Sequence, residues 1–294
     1  MTCGVLLAVP NFSEGRDRGL IERIAAQFAS GVELLDTHSD PVHNRTVLTL
    51  AGVPRSLGEA LVRGAGACQM TIDMRRQRGA HPRIGALDVC PVVWLDGDER
   101  AVARVEALTV AKAIGASGVP IFLYGDLATE KARRERSFFR EGGLEWLRER
   151  MASGELAPDF GPGEPHPSAG ATLVTARPPL AAFNVELRGA TLEDVRAIAA
   201  NLREAGGGLH GVRAIAIDLG DGRVQVSTNV HDPAAIPLAA VVGRIRELAP
   251  DADLASAEIV GLVPEAALAG WPGEVPLPAF DPATHVIERR IRAG

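Results

Sequence analysis

The chain has 294 residues, 46% hydrophobic and 23% charged, with 32 glycines and 20 prolines, which suits two compact domains better than one small core. Its formal net charge of −6 argues against non-specific binding to nucleic acid or an anionic membrane, since both take a basic surface. No segment reaches the ~20 apolar residues of a membrane span, the short apolar run near the start has no basic residue before it, and Cys3, Cys68 and Cys90 lack metal-ligand spacing, so reduced thiols and a cytoplasmic location are expected.

In chain order, residues 3–9 (CGVLLAV) read as a buried strand closed by Pro10 and Asn11. From Arg16 to Ala29, Leu20, Ile21, Ile24, Ala25 and Phe28 recur at helical spacing. Residues 32–36 and 45–52 read as strands around a turn-rich loop, THSDPVHN. A helix is expected over 54–70, then a strand over 87–95 whose Pro91 points to a sheet edge or a bulge. A helix over 99–115 and a strand over 120–125 follow.

Residues 126–178 differ in character. A charged helical stretch is broken at Gly142–Gly143, and APDFGPGEPHPSAGAT (157–172) is dense in proline and glycine. Composition leaves two readings of the latter open: a linker, or a rigid loop whose bare backbone lets a ligand approach closely.

The second half repeats the plan. Residues 180–187 alternate like a half-buried strand. The next stretch, 191–204, opens with Thr191 and Asp194 as a capping box and has one apolar face. The strands 212–220 and 223–230 flank Asp221-Gly222, a strong hairpin signal, and a helix over 235–248 and a strand over 252–262 complete the order. The expected class is α+β: two β-α-β-β-α-β, ferredoxin-like subdomains with mixed or antiparallel sheets, residues 1–178 and 179–294. That order argues against a TIM barrel or a Rossmann domain, which alternate parallel strands with helices.

Candidate chemistry centres on His81. Pro82 restrains its backbone toward extended geometry, Gly-Ala pairs flank it, and an imidazole titrates near working pH, as a general acid/base must. Its bland alternative is a histidine satisfied by backbone carbonyls. Arg83 suggests an anion nearby. Asp36, His38, Asp40, His43 and Arg45 form a second group, but their irregular spacing makes turn capping by Asp40 and Asn44 and a carboxylate partner for Arg45 the better reading, and no metal is expected. Ser13 and Glu14 stand at a helix entrance, as an anion site or as a plain cap. Phosphate-cradling glycine motifs and a nucleophile elbow are absent.

A resemblance runs through most of the chain. VPNFSEGRD (9–17), NRTVLTLAG (44–52), GAHPRIGALDVCP (79–91), FLYG (122–125), PDFGP (158–162), PSAGAT (167–172), AFNVEL (182–187), QVSTN (225–229), IVGLVP (259–264) and FDPATHVIE (280–288) resemble the formiminotransferase domain of glutamate formimidoyltransferases. The resemblance implies two subdomains facing a folate groove, usually within a homodimer. It implies transfer of a formimino group between glutamate and N5 of tetrahydrofolate, a co-substrate, in histidine degradation and one-carbon metabolism. His81 then occupies the family's active-site histidine position, and the folate-binding segment falls on Gly161, Pro162, Gly163, Glu164, Pro165, His166, Pro167, Ser168, Ala169 and Gly170. His81 would protonate N5 and recover the proton, worth ~10²–10⁴-fold. Arg45 and Arg83 suit the carboxylates of glutamate and of the folate tail. A cyclodeaminase, fused to this domain in animals, would be a separate partner.

Two departures stand out. Animal members resemble D-x-D-x-G where this chain has Asp36-Thr37-His38-Ser39-Asp40, so His38 replaces an acid, and Ala169 stands where an aromatic is common. They leave room for action on 5-formyltetrahydrofolate, or for a folate-binding protein without turnover.

Overall fold

The computed structural model describes residues 4–292, so Cys3 lies outside the described residues. The chain divides after Pro178 into two compact units.

In the first unit, β1 (Leu6–Ala8) and β2 (Asn11–Phe12) are one line of chain interrupted at Pro10, which has no N–H to give a ladder. They are followed by α1 (Arg18–Phe28), β3 (Glu33–Asp40), β4 (Arg45–Gly52), α2 (Ser56–Thr71), β5 (Leu87–Val93), α3 (Arg100–Ala116), β6 (Ile121–Leu123), α4 (Ser137–Arg140), α5 (Gly143–Ala152) and β7 (Thr172–Arg177). Among the described residues the sheet starts at β3, which pairs with β4 alone; β4 pairs with β1 and β2, and these with β5, all antiparallel. On its other edge β5 pairs with β7, and β7 with β6, both parallel.

Helices cover both faces of this sheet. Ile21, Ile24 and Phe28 of α1, Leu57 and Leu61 of α2, and Val110 and Ile114 of α3 pack on one face with Ile121 and Leu123 of β6. Phe122, between those two, turns to the other face and meets Phe139 of α4 and Leu147 of α5. Such alternation is what a strand buried on both sides requires. The α1–α2 contact is close at Gly64, where a Cβ would stand 2.1 Å from the Phe28 ring. The start of α2 has no side-chain cap of its own; Glu106, buried on α3, accepts from Arg55 N and Gly58 N at 2.7 and 2.8 Å.

Two expectations change here, and an open alternative narrows. Residues 37–40, read as loop, continue β3, because the ladder with β4 runs on to Asp40 opposite Arg45 and leaves only residues 41–44 as the turn. Pro91 lies in an interior strand, not at an edge; it faces the gap between β1 and β2, where Val9 N still donates to Pro91 O at 3.1 Å, and the ladder's register shift comes further on, opposite Leu87–Val89. Residues 157–172, open as linker or loop from composition, lie inside the first unit between α5 and the first residue of β7, and β7 is an interior strand of the sheet.

The second unit contains β8 (Ala181–Arg188), α6 (Leu192–Leu202), β9 (Val212–Gly220), β10 (Arg223–Val230), α7 (Leu238–Leu248) and β11 (Asp253–Ile259), then short helices α8 (Pro282–His285) and α9 (Ile287–Arg292). Its four-stranded antiparallel sheet has the order β11-β8-β10-β9, which is the ferredoxin-like arrangement. Asp221 and Gly222 both have positive φ, at 54° and 75°, as a tight hairpin turn demands. Thr191 and Asp194 form the reciprocal cap of α6, and Val195, Ile198, Leu202, Val241 and Ile245 fill the core with β8 and β10. The mixed α+β class is therefore observed in both units. Among the described residues no helix is long and apolar enough to cross a membrane.

Candidate active site

His81 sits in the segment between α2 and β5, which other elements fix from several sides. Ala80 N donates to Val42 O at 3.1 Å. Ser13 N donates to Ala86 O at 2.8 Å and Ser13 Oγ to Gly85 O at 2.7 Å, so Ser13 ties the segment to β2 rather than capping α1. Asp17 caps α1, its carboxylate accepting from Leu20 N. Glu14 folds back on its own loop, accepting from Gly15, Arg16 and Asp17 amides, and reaches Gln77 Nε2 at 3.1 Å. Asn44 joins the same network through Gly15 N, Gln77 Oε1 and Arg78 O.

The His81 ring is partly exposed, and its Nδ1 stands 2.8 Å from Pro82 O. A carbonyl only accepts, so Nδ1 carries the proton and Nε2 keeps a lone pair. The imidazole pKa lies well below its ordinary value: the ring is desolvated where it packs, the Arg45 and Arg140 charges oppose protonation, and Asp88 only partly offsets them. His81 is thus a neutral base at pH 7.

Beneath it lies a buried ionic cluster. Asp88, on β5, is 0% exposed; its Oδ1 accepts from Ile84 N at 2.8 Å, and its Oδ2 meets Arg45 Nη1 at 2.6 Å and Arg140 Nη2 at 2.5 Å. Burial raises the Asp88 pKa, but Arg140, Arg45 and the Ile84 amide together hold it well below the usual carboxylate range. Arg45 also gives Nε and Nη2 to Asn11 Oδ1 at 3.0 and 2.9 Å. Arg140 ends α4, a short helix held by Phe139 against Phe122 at 5.1 Å and by Arg150 Nη1 on Phe138 O at 2.7 Å. Burial, with Arg136 and Arg45 nearby, lowers the Arg140 pKa to about 10, so it stays charged at neutral pH. Arg83 gives Nη1 to Asn44 O at 2.7 Å and forms no ion pair among the described residues. Burial and the neighbouring Arg45 lower its pKa. Three guanidiniums against one committed carboxylate make this a place for an anion.

Gly161–Gly170 runs alongside. Its far end is stapled to the segment on both sides of His81: Ala86 N donates to Ala169 O at 2.8 Å and Ala171 N to Ile84 O at 3.0 Å after it, and Met74 N to Ser168 O at 2.7 Å before it. The approach demands glycine at both contact points. A Cβ on Gly85 would lie 1.9 Å from Ala171 O, and one on Gly170, at φ +71°, 2.1 Å from Ile84 O. His166 closes the turn, pairing with Gly170 through both backbone bonds and accepting from Ala169 N at Nδ1, 3.0 Å away. Residues 161–164 are exposed, whereas Ala169 is 2% exposed and belongs to the core. An aromatic there would have to be accommodated in the interior.

The structure thus gathers His81, Arg45, Arg83 and the 161–170 loop in one unit. Sequence reasoning missed Asp88 and Arg140. Asp88 carried a usable signal, a lone charge inside a continuous apolar strand; Arg140 carried none, being one of many arginines in a charged stretch. It also left Asp40 and His43 as turn residues. Asp40 does cap the turn, accepting from Val42 N and His43 N at 2.7 and 2.8 Å, but it also holds His43 Nδ1 at 2.8 Å. Among the described residues no group of three metal-ligating side chains converges.

Comparison with known proteins agrees across both units. Residues 5–177 match the family model for the formiminotransferase domain, N-terminal subdomain, and residues 182–270 that for the formiminotransferase domain. A glutamate formimidoyltransferase of Streptococcus pyogenes serotype M1 is 36% identical over 274 residues, covering 90% of each chain. Another, from Thermoplasma acidophilum, is 37% identical over 268 residues and covers 88% of each. The formimidoyltransferase-cyclodeaminase of Sus scrofa is 40% identical over 276 residues, which are 88% of this chain and 50% of that protein. The chain belongs to the formiminotransferase family.

Proposed function

We propose that this protein is a transferase that moves a formimino group between N-formimidoyl-L-glutamate and N5 of tetrahydrofolate, in the breakdown of histidine. The observation that carries the reading is the state of His81: a neutral imidazole with a free Nε2 lone pair, beside guanidiniums that suit substrate carboxylates.

The chemistry needs one proton moved twice. The attacking nitrogen adds to the formimino carbon, the C–N bond forms, and the π pair moves to the terminal nitrogen. The attacking nitrogen is then cationic and gives its proton to His81 Nε2. His81, now the acid, passes that proton to the leaving nitrogen, whose C–N bond breaks as the π bond re-forms. Charge and atoms balance, and the same histidine serves both directions. Arg83 anchors a carboxylate; Arg45, already committed to Asp88 and Asn11, sets the field around it. The 161–170 loop, fixed next to the His81 segment, takes the folate. Action as a homodimer in the cytoplasm completes the reading.

The test is formation of glutamate and N5-formimidoyltetrahydrofolate from N-formimidoylglutamate and tetrahydrofolate, measured in both directions with 5-formyltetrahydrofolate alongside. Turnover of the formimino compound supports the reading. Turnover of the formyl compound alone replaces the substrate, and tight folate binding without any turnover makes the protein a binder.

A further inference from the structure

The mechanism above leaves the Asp40–His43 pair unused. His43 is only 6% exposed, in the turn between β3 and β4. Asp40 accepts its Nδ1 hydrogen at 2.8 Å while holding the turn amides with its other oxygen. A carboxylate only accepts, so His43 Nδ1 carries the hydrogen of that bond and Nε2 is the nitrogen left over. That nitrogen is buried and has no hydrogen-bond partner among the described residues, an arrangement that costs stability and calls for an explanation other than folding. The ring stands edge-on to His81, centroids 5.9 Å apart at 86°. Their loops pack closely: a Cβ on Gly79 would lie 2.2 Å from His43 O, and Ala80 N donates to Val42 O at 3.1 Å.

We propose that His43, its tautomer fixed by Asp40, is a positioning residue for His81, holding the imidazole plane and favouring the imidazolium that His81 becomes during transfer. When His81 takes the proton of the attacking nitrogen, it becomes a cation facing Arg45 and Arg140, while Asp88 is already shared between those two. Arg83 adds a further positive charge nearby. Through His43, Asp40 brings a further carboxylate to the side of the ring that His43 faces. The proton goes from the attacking nitrogen to His81 Nε2 and from there to the leaving nitrogen.

The inference rests on His81 as acid/base, and the test separates the two ideas. Asp40→Asn keeps the turn bonds but presents an amide N–H to His43 Nδ1, which forces the hydrogen onto Nε2 and inverts the tautomer. His43→Phe keeps the ring edge and removes both nitrogens. The readouts are kcat, both KM values, the pH profile of kcat and Tm. In both variants kcat should fall about tenfold or more with KM within about twofold. The acid limb of the profile should move to lower pH, because His81 is then harder to protonate. Parental kcat and pH limb in Asp40→Asn, or in a folded His43→Phe, would overturn the proposal. If His81→Ala kept turnover in the same assay, the acid/base reading itself would fall; if His81→Ala were inactive and Asp40→Asn parental, only the pairing would.

Discussion

Replacing Asp88 by Asn removes one charge without changing shape, and the structure sets the cost. Asp88 is wholly buried and is the carboxylate shared by Arg45 and Arg140. Removing one member of a buried ion pair costs ~3–5 kcal/mol, because the remaining charge is left uncompensated. Arg45 retains Asn11 Oδ1 at two points, so part of its loss is offset. Arg140 has no such reserve, since its Nε already lacks a partner among the described residues. The lower end, about 3 kcal/mol, is therefore expected, or ~6–12 °C in Tm for a unit of this size. Urea unfolding at pH 7 should show a lower midpoint with an unchanged slope. The difference should shrink in acid. The folded pKa of Asp88 is depressed, so its contribution is complete above the unfolded value of about 3.9 and is lost as pH falls toward the folded one. An Asp88→Asn protein within about 1 kcal/mol of the parent at pH 7 would refute this account of the cluster.

Gly170→Ala should cost more than ~2 kcal/mol and weaken tetrahydrofolate binding, because it combines a left-handed backbone with a Cβ 2.1 Å from Ile84 O. Gly163→Ala, with nothing within 4 Å of its Cβ, should unfold within about 0.5 kcal/mol of the parent. If both substitutions behaved alike in urea, the close seat of the loop on the His81 segment would be wrong. Glu106→Ala should lower stability by ~1–2 kcal/mol while leaving turnover unchanged, since it strips two amides at the start of α2 far along the chain from His81. A change in kcat without a change in unfolding would contradict that role.

What was legible in the sequence follows from how local the signals were. The second unit announced itself: Asp221-Gly222 specifies a hairpin, and Thr191 and Asp194 specify a helix start. In the first unit β7 escaped because a short strand buried on both faces has no alternation and stands directly behind a proline-glycine loop. The end of β3 escaped because Thr37-His38-Ser39-Asp40 is polar, and only its partner β4 makes it a strand. His81 could be singled out from one short window, since a proline and flanking glycines mark it. The groups gathered around it could not. Asp88, Arg140 and His43 come to it from β5, α4 and the β3–β4 turn, and nothing short of the folded sheet joins those three.

The central claim is that His81 carries the proton while other residues carry the binding. It is tested most directly by measuring formimino transfer and tetrahydrofolate affinity side by side for the parent and for His81→Ala. The account predicts turnover lower by ~10²–10⁴-fold with folate affinity unchanged. Turnover retained in His81→Ala would contradict it.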